Sequence, residues 1–290
     1  MKRVFLLNSF TLKDHINDVK SKVINYCESN SIEYDIEVNS TQISTEDILN
    51  KYKDKKCIII PIGGDGIINR TLNCIINTNN ILGYIPYGTG NDFNRAVIKQ
   101  FKDGINDCDV IKVNNKYFIN TLCFGIDADI GNNKGKINSK FISEKQKYNL
   151  GIPSILLKYK CKNFKVFSDK ISLEGLFTTI IICNGSHYGG GYNVSPIGNL
   201  NDGVFEVFLV PKLSKISMIK LILSMKNGKH INSKNLKLIN DNKFTIISKE
   251  SIVANMDGEE LEDTKFNIEM INSGIQVYYD KKLIKTLTKN

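Results

Sequence analysis

The chain has 290 residues, of which 41% are hydrophobic and 24% are charged, so it is long enough for two domains with a large buried core. No stretch approaches the roughly 18 consecutive apolar residues of a membrane-spanning helix. The apolar run after the basic start is too short for a signal peptide. Seven scattered cysteines without a Cys-x-x-Cys pair are typical of a reducing, cytoplasmic compartment.

The net charge of +9 indicates an anionic partner. Because the aromatic residues form no nucleic-acid-binding motif, this charge favours an acidic membrane surface or an anionic substrate over nucleic acid. The lysines are spread among asparagines and isoleucines, however. An AT-rich genome would produce the same composition without any functional meaning.

Strands and helices alternate through the first 105 residues. Apolar runs predict strands at residues 4–8, 32–38, 57–62 and 81–86, and helical spacing predicts helices at residues 14–29, 45–52 and 67–76. This alternation predicts an α/β domain over residues 1–105, with a parallel sheet and helices on both of its faces. Ligands of such folds bind outside the carboxyl ends of the strands.

A glycine loop, Gly63-Gly64-Asp65-Gly66, follows the strand at residues 57–62. Glycines let the backbone approach a bulky anion, and the N–H groups at the start of the following helix favour a phosphate. Asp65 would repel that phosphate unless a cation lay between them, so the loop indicates a metal–nucleotide complex. An isolated loop of this kind is more often only a tight turn with a helix-capping Asp.

A second loop of the same kind, Gly88-Thr89-Gly90-Asn91-Asp92, follows the strand at residues 81–86. Thr89 and Asn91 offer a hydroxyl and an amide to a phosphate or a ribose, and Asp92 offers a carboxylate. Because both loops follow strands of one sheet, we expect them to lie side by side at one edge. The pair is much stronger evidence for a nucleotide site than either loop alone.

From about residue 105 the pattern changes, and strand-like segments follow each other closely. This predicts an antiparallel β-sandwich domain over residues 106–290, whose extreme C-terminus could pack back on the first domain. A turn signal at residues 272–274 separates two of the predicted strands. Helical segments at residues 140–160 and 214–226 interrupt the domain.

Two carboxylates near the end of the chain, Asp257 and Glu259, stand two residues apart. On a strand-like path both would point to the same face. Such a pair suits a general base together with a group that holds the base or a metal ion. Asp257-Gly258 is also a common hairpin turn, which is the simpler interpretation of the pair.

With these motifs assembled, the chain resembles the diacylglycerol kinase catalytic family of lipid kinases, especially its soluble bacterial members, over nearly its whole length. The motifs that carry the resemblance lie at residues 63–66, 86–95, 125–128, 202–203 and 257–259. The resemblance implies ATP- and Mg²⁺-dependent phosphorylation of the hydroxyl of a lipid alcohol, with diacylglycerol as the leading substrate and phosphatidic acid as the product. Sphingoid bases, phosphatidylglycerol and other lipid alcohols stay open. It also implies a site between an α/β nucleotide-binding domain and a β-sandwich.

The resemblance further implies roles for individual residues. Asp257 would be the general base and Glu259 its catalytic partner. The implied metal ligands are Asp65, Leu200 through its carbonyl, Asp202 and Glu259. The implied nucleotide-binding residues are Asn8, Thr11, Gly63, Gly64, Asp65, Gly66, Gly88, Thr89, Gly90, Asn91 and Asp92.

Two departures from the family pattern support an alternative. Ile67 stands where the family has Thr, and Asn8-Ser9-Phe10-Thr11 replaces the family's Asn-Pro-x-Ser/Ala-Gly loop. Both changes touch nucleotide binding, so a catalytically silent nucleotide- or lipid-binding member is a second hypothesis. A third is a kinase of a soluble substrate such as NAD, since NAD kinases share the first glycine loop. The second loop and the Asp257–Glu259 motif disfavour it.

A lipid substrate requires contact with a membrane. The lysine-rich segment 214–226 is a candidate for peripheral docking on anionic lipid, with Lys215 and Lys220 as its charges. A solvated surface helix is the alternative. The expected partners are thus a lipid at the membrane surface and no nucleic acid, while the sequence leaves a homodimer open.

Overall fold

The computed structural model describes residues 1–88, 90–132, 156 and 158–288. The predicted helix at residues 140–160 falls almost entirely outside the described residues, as does Thr89. The chain divides into two compact units: unit 1 comprises Met1–Cys108 and Ser273–Asn290, and unit 2 comprises Asp109–Asn272.

Unit 1 alternates strands and helices. Its strands are β1 (Arg3–Asn8), β2 (Tyr34–Asn39), β3 (Ile58–Gly63), β4 (Ile81–Leu82) and β5 (Ile85–Pro86). Its first helices are α1 (Ser9–Leu12), α2 (Ile16–Ser29), α3 (Thr45–Leu49), α4 (Asp65–Ile75) and α5 (Asp92–Gln100). Short 3₁₀ turns lie at Lys13–His15 and Asn50–Tyr52.

The strands of unit 1 pair in parallel: β1 with β2 and β3, and β3 with β4 and β5. All of β3 is buried, which explains its continuous apolar run. The strand predicted at residues 81–86 is interrupted at Gly83, whose N–H donates to the Ile59 carbonyl at 2.7 Å. Because β1, β3 and β5 run the same way, the loops that follow them meet at one edge.

Unit 2 is antiparallel. Its strands are β6 (Gly104–Val113, which begins in unit 1), β7 (Lys116–Phe118), β8 (Thr121–Gly125), β9 (Lys162–Phe167), β10 (Ser172–Cys183), β11 (Phe205–Pro211), β12 (Lys237–Asp241), β13 (Lys243–Met256) and β14 (Glu259–Tyr279, which ends in unit 1). Its helical segments are α6 (Ile126–Asn132), α7 (Lys215–Met225) and the 3₁₀ turn Lys229–Asn232. The chain then closes with α8 (Lys281–Thr288), which belongs to unit 1.

Unit 2 buries two apolar clusters. One is rich in phenylalanine, with the rings of Phe124 and Phe266 edge to face at 4.9 Å. The other includes Met218 and Leu221 of α7 and Ile130 of α6. The large phenylalanine surface accounts for much of the apolar burial that stabilises this unit.

The turn predicted at residues 272–274 is wrong, because β14 runs through these residues without a break in strand structure. Only Ser273 takes a positive φ, of 48°. The part of β14 in unit 2 pairs with β13, whereas Val277, in the part of β14 that belongs to unit 1, pairs in parallel with Leu82 of that same unit. One long strand can satisfy two sets of backbone partners, so no turn is required there.

Among the described residues, no helix combines the length and the apolar character that crossing a membrane requires.

Candidate active site

The two glycine loops of unit 1 pack backbone against backbone. A Cβ added to Gly88 would lie 2.9 Å from the Cα and 3.3 Å from the N of Gly64. The Tyr87 N–H also donates to the Gly63 carbonyl at 2.8 Å. The predicted proximity of the loops is therefore confirmed, and only residues without a Cβ permit it.

Asp65 joins the first loop to the helix of the second loop. It is the first residue of α4, and its two carboxylate oxygens accept the backbone N–H groups of Asp92 and Phe93, each at 3.0 Å. Since the first N–H groups of a helix have no partner within that helix, Asp65 caps α5 from outside. The structure thus gives this carboxylate a loop-fastening role. Its implied role as a metal ligand stays a prediction.

Asn91 shapes the second loop. Its φ of 50° lies in the left-handed region, and its Nδ2 donates to the Gly88 carbonyl at 2.7 Å. Asp92, the first residue of α5, is buried and lies 3.5 Å from Arg95 Nε. The loop is therefore held by its own side chains. Of the remaining implied residues, Gly90 lies in this loop and Gly66 lies in the first turn of α4.

The segment that replaces the family's Asn-Pro loop begins with the capping residue of α1. Asn8 is buried, accepts the Phe10 N–H at 3.3 Å and donates through Nδ2 to Thr11 Oγ1 at 3.0 Å. A Cβ on Gly63 would lie 3.3 Å from Asn8 Nδ2, so the first glycine loop borders this segment. Asn8, an implied nucleotide contact, is thus brought beside Gly63, and Thr11, another implied contact, is hydrogen-bonded to Asn8.

Asp257 lies in a hairpin turn and not on a strand-like path. Its φ is 47° and that of Gly258 is 93°, while Met256 pairs with Glu259 at the ends of β13 and β14. Positive φ at both central residues is the geometry for which Asp-Gly is favoured. The expectation that Asp257 and Glu259 share one face of a strand is therefore wrong, because the turn reverses the chain between them.

The Asp257 carboxylate lies against the start of β8. Its Oδ2 accepts the N–H groups of Ile119 and Asn120 at 2.9 and 3.3 Å, and its Oδ1 accepts that of Thr121 at 2.7 Å. The Asp257 N–H in turn donates to the Thr121 carbonyl at 3.0 Å. These bonds fix the orientation of the carboxylate and hold the strained backbone of the turn in place.

The structure allows the predicted metal ligands Leu200 and Asp202 to be tested for their fit to a cation. The Leu200 carbonyl accepts the Asp109 N–H at 2.7 Å, and Asp109 Oδ2 accepts the Gly203 N–H at 2.8 Å. Burial and the nearby charge of Asp109 raise the pKa of the Asp202 carboxyl. A cation held by Asp202 and the Leu200 carbonyl would offset the repulsion between the Asp202 and Asp109 carboxylates, and both ligands supply the oxygen atoms that Mg²⁺ prefers, so this group fits the metal. No set of three or more His, Cys, Asp or Glu side chains suited to a metal occurs within the described ranges.

Sequence reasoning missed three polar residues of unit 2. Asp109 is one, and Glu206 is another: it is buried, and Ser195 Oγ donates to its Oε2 at 3.0 Å. Burial raises the pKa of Glu206 to about 7. The third is Tyr188, whose hydroxyl donates to Asp127, a fully buried carboxyl whose pKa is also raised by burial. An acidic residue inside an apolar strand, as at positions 109 and 206, was the available signal.

Two models of known protein families match the sequence of this chain. The family model described as the diacylglycerol kinase catalytic domain matches residues 2–119. The model of the YegS C-terminal NAD kinase beta sandwich-like domain matches residues 120–279, more than half of the chain.

This chain belongs to the diacylglycerol kinase catalytic family of lipid kinases.

Its relatives agree with that membership. A protein of Alcanivorax borkumensis named "Probable lipid kinase YegS-like" is 27% identical over 76% of this chain and 78% of that protein. The diacylglycerol kinase of Bacillus subtilis is 26% identical over 70% of this chain and 71% of that protein. A solved structure of a diacylglycerol kinase from Bacillus anthracis has a TM-score of 0.70 at 18% identity and covers 97% of this chain and 98% of that chain. At 18% identity, the similarity to this solved structure is evidence for a shared fold only. The predicted family and the two-domain architecture with a C-terminal β-sandwich are confirmed.

Proposed function

We propose that this lipid kinase family member transfers the γ-phosphoryl group of ATP to the hydroxyl of diacylglycerol, giving phosphatidic acid, with Mg²⁺ required. One observation supports the proposal above all: the two glycine loops are held together. Gly64 contacts Gly88, and the first N–H groups of α5 donate hydrogen bonds to the Asp65 carboxylate. Phosphoryl transfer depends mainly on positioning and charge stabilisation. The name of the Bacillus subtilis relative supports diacylglycerol as the acceptor.

The residues of unit 1 would bind the phosphates. The N-termini of α4 and α5 follow the two glycine loops at one edge of the sheet, and helix N-termini attract anions through their N–H groups and dipoles. Glycines at positions 64 and 88 leave room for a phosphate to reach the backbone. Asp65 keeps the two helix starts in fixed register, so both act on the same ligand.

Asp257 would accept the proton of the lipid hydroxyl. Its bonds to the backbone at residues 119–121 hold the carboxylate in one orientation, as a positioned base requires. Mg²⁺, when bound, neutralises charge on the phosphates. Asp202 and the Leu200 carbonyl would hold it within unit 2, with Glu259 as a further ligand, while Asp109 positions the Leu200–Gly203 loop.

A catalytically silent nucleotide- or lipid-binding member is the second candidate. Ile67, in place of the family's Thr, is buried, and its Cγ2 would lie 2.7 Å from a Cβ on Gly63. It therefore fills space beneath the first loop without offering a hydroxyl to the nucleotide. The third hypothesis was a kinase of a soluble substrate such as NAD. No contact among the described residues favours it.

The test is transfer of labelled γ-phosphate from ATP to a panel of lipid alcohols in mixed micelles, with and without Mg²⁺. Labelled phosphatidic acid that forms only with Mg²⁺ is the expected result. Label on a different lipid would correct the acceptor and keep the reaction. If ATP binds but no labelled lipid forms, the catalytically silent alternative would replace the proposal.

A further inference from the structure

Helix α7 is apolar on two faces. Its inner face buries Met218, Leu221, Ile222 and Met225, which follow the i, i+3, i+4, i+7 spacing of one helix face. Its outer face carries Ile216, Ile219 and Leu223, whose exposed fractions are 68%, 44% and 64%. These residues are also three and four apart, so they form one continuous apolar stripe along the helix. A soluble surface explains a single exposed leucine, but a stripe of three large aliphatic side chains marks an interaction surface.

The surroundings of the stripe are basic. Lys220 is exposed on the same helix, and Lys226 is exposed at its C-terminal end. From residue 207 to residue 240 the sequence contains no Asp or Glu, and its lysines are Lys212, Lys215, Lys220, Lys226, Lys229, Lys234 and Lys237. The stripe is therefore flanked by positive charge that no acidic residue of this segment offsets.

Lys215 has a different role from the one that the sequence suggests. Its Nζ donates to the Leu156 carbonyl at 2.6 Å and to the Tyr159 carbonyl. It thus ties the first turn of α7 to the segment before β9 within unit 2. Lys220 and Lys226 remain as the helix cations whose loss should not disturb the packing of α7.

We propose that the outer face of α7, formed by Ile216, Ile219 and Leu223 with Lys220 and Lys226, docks on an anionic lipid bilayer. A helix with an apolar stripe and lysines beside it inserts its aliphatic side chains among acyl chains while the ammonium groups contact lipid phosphates. A second copy of this chain is disfavoured, because a two-fold interface would place the same lysines against each other. The inference rests on the proposed function in one respect, since it supplies a route by which the kinase reaches a lipid substrate.

The experiment is co-sedimentation of the full chain, without nucleotide, with vesicles of phosphatidylcholine alone or of phosphatidylcholine with phosphatidylglycerol. The wild type should sediment with the anionic vesicles and not with the neutral ones. The double variants Ile216→Gln/Leu223→Gln and Lys220→Gln/Lys226→Gln should each lose affinity for the anionic vesicles by about tenfold or more. Matched controls are Leu173→Gln and Lys249→Gln, which change exposed residues of the same unit and should bind as the wild type does.

Wild-type affinity in the Ile216→Gln/Leu223→Gln variant, or failure of the wild type to bind anionic vesicles, would overturn the proposal. Light scattering distinguishes a lipid bilayer from a second copy of the chain as the partner of this face. If the Ile216→Gln/Leu223→Gln variant has a lower molar mass than the wild type but binds vesicles equally well, the face is a dimer interface. Phosphorylation of a short-chain diacylglycerol in free solution should be the same in all variants. If no protein phosphorylates any lipid, the proposed function fails while the sedimentation result still decides the docking surface.

Discussion

Gly64 and Gly88 approach so closely that a Cβ on Gly88 would lie 2.9 Å from the Gly64 Cα. Backbone atoms cannot yield as a flexible side chain would, so Gly88→Ala should push the glycine loops apart. We expect kcat/KM for ATP to fall by roughly a hundredfold, because small displacements of positioning groups have effects of this size. Gly175→Ala is the control, since its added Cβ meets nothing within 4 Å. Unchanged kinetics in the Gly88 variant would show that the loop contact does not shape the nucleotide site.

Removal of the Asp65 carboxylate should weaken both the fold and nucleotide binding. Asp65→Ala leaves two first-turn N–H groups of α5 without their acceptor, which should lower the free energy of unfolding by about 1–3 kcal/mol. The KM for ATP should rise as well, because the two loops are no longer fastened. Asp47→Ala is the control: it removes one half of the capping box of α3 in the same unit and should leave the KM for ATP unchanged. Equal kinetic effects of the two variants would contradict a specific role of Asp65 at the nucleotide.

Asp257→Asn should reduce turnover and stability together. The substitution removes the proton acceptor, and we expect kcat to fall by roughly a hundredfold to ten-thousandfold. The amide also supplies one acceptor oxygen in place of two, so at least one N–H group at residues 119–121 loses its partner, at about 1–3 kcal/mol. Lipid phosphorylation and chemical denaturation measure the two effects. Asp169→Asn, on an exposed turn of the same unit, is the control. Retained turnover would remove Asp257 as the base.

Glu206 should make the protein less stable as the pH rises through a defined window. Its pKa is raised from 4.5 to about 7 by burial, so between these values the folded state holds a proton that the unfolded state has lost. The free energy of unfolding should therefore fall with rising pH across this range, by no more than roughly 3 kcal/mol from this group.

Thermal unfolding in EDTA, at pH 5 and at pH 8, measures the effect of Glu206. Glu206→Gln should reduce the difference between the melting temperatures at pH 5 and pH 8. Glu269→Gln, on the exposed side of β14, should leave that difference unchanged. The same slope in Glu206→Gln and in the wild type would assign the pH dependence to other groups.

The sequence allowed the two loops and their proximity to be predicted, because each loop is a local pattern of glycines and one carboxylate between a strand and a helix. It did not allow their fastening to be predicted: Asp65 binds N–H groups 27 and 28 residues away. Asp257 shows the same limit, since its partners lie 136 to 138 residues earlier in the chain. Two-residue spacing wrongly placed Asp257 and Glu259 on one face, whereas the Asp-Gly hairpin turn, the other interpretation that the sequence offered, is the one that forms.

What the sequence determined by itself is the family, the order of the elements and the positions of the glycine loops, all of which depend on residues close together in the chain. The tertiary structure decided which amides each carboxylate binds, where Asp109 and Glu206 lie, and which face of α7 is exposed. Helical periodicity could not select that face, because apolar residues occur on both sides of the helix. Only packing against the core of unit 2 covers Met218 and Met225 and leaves Ile216 and Leu223 in solvent.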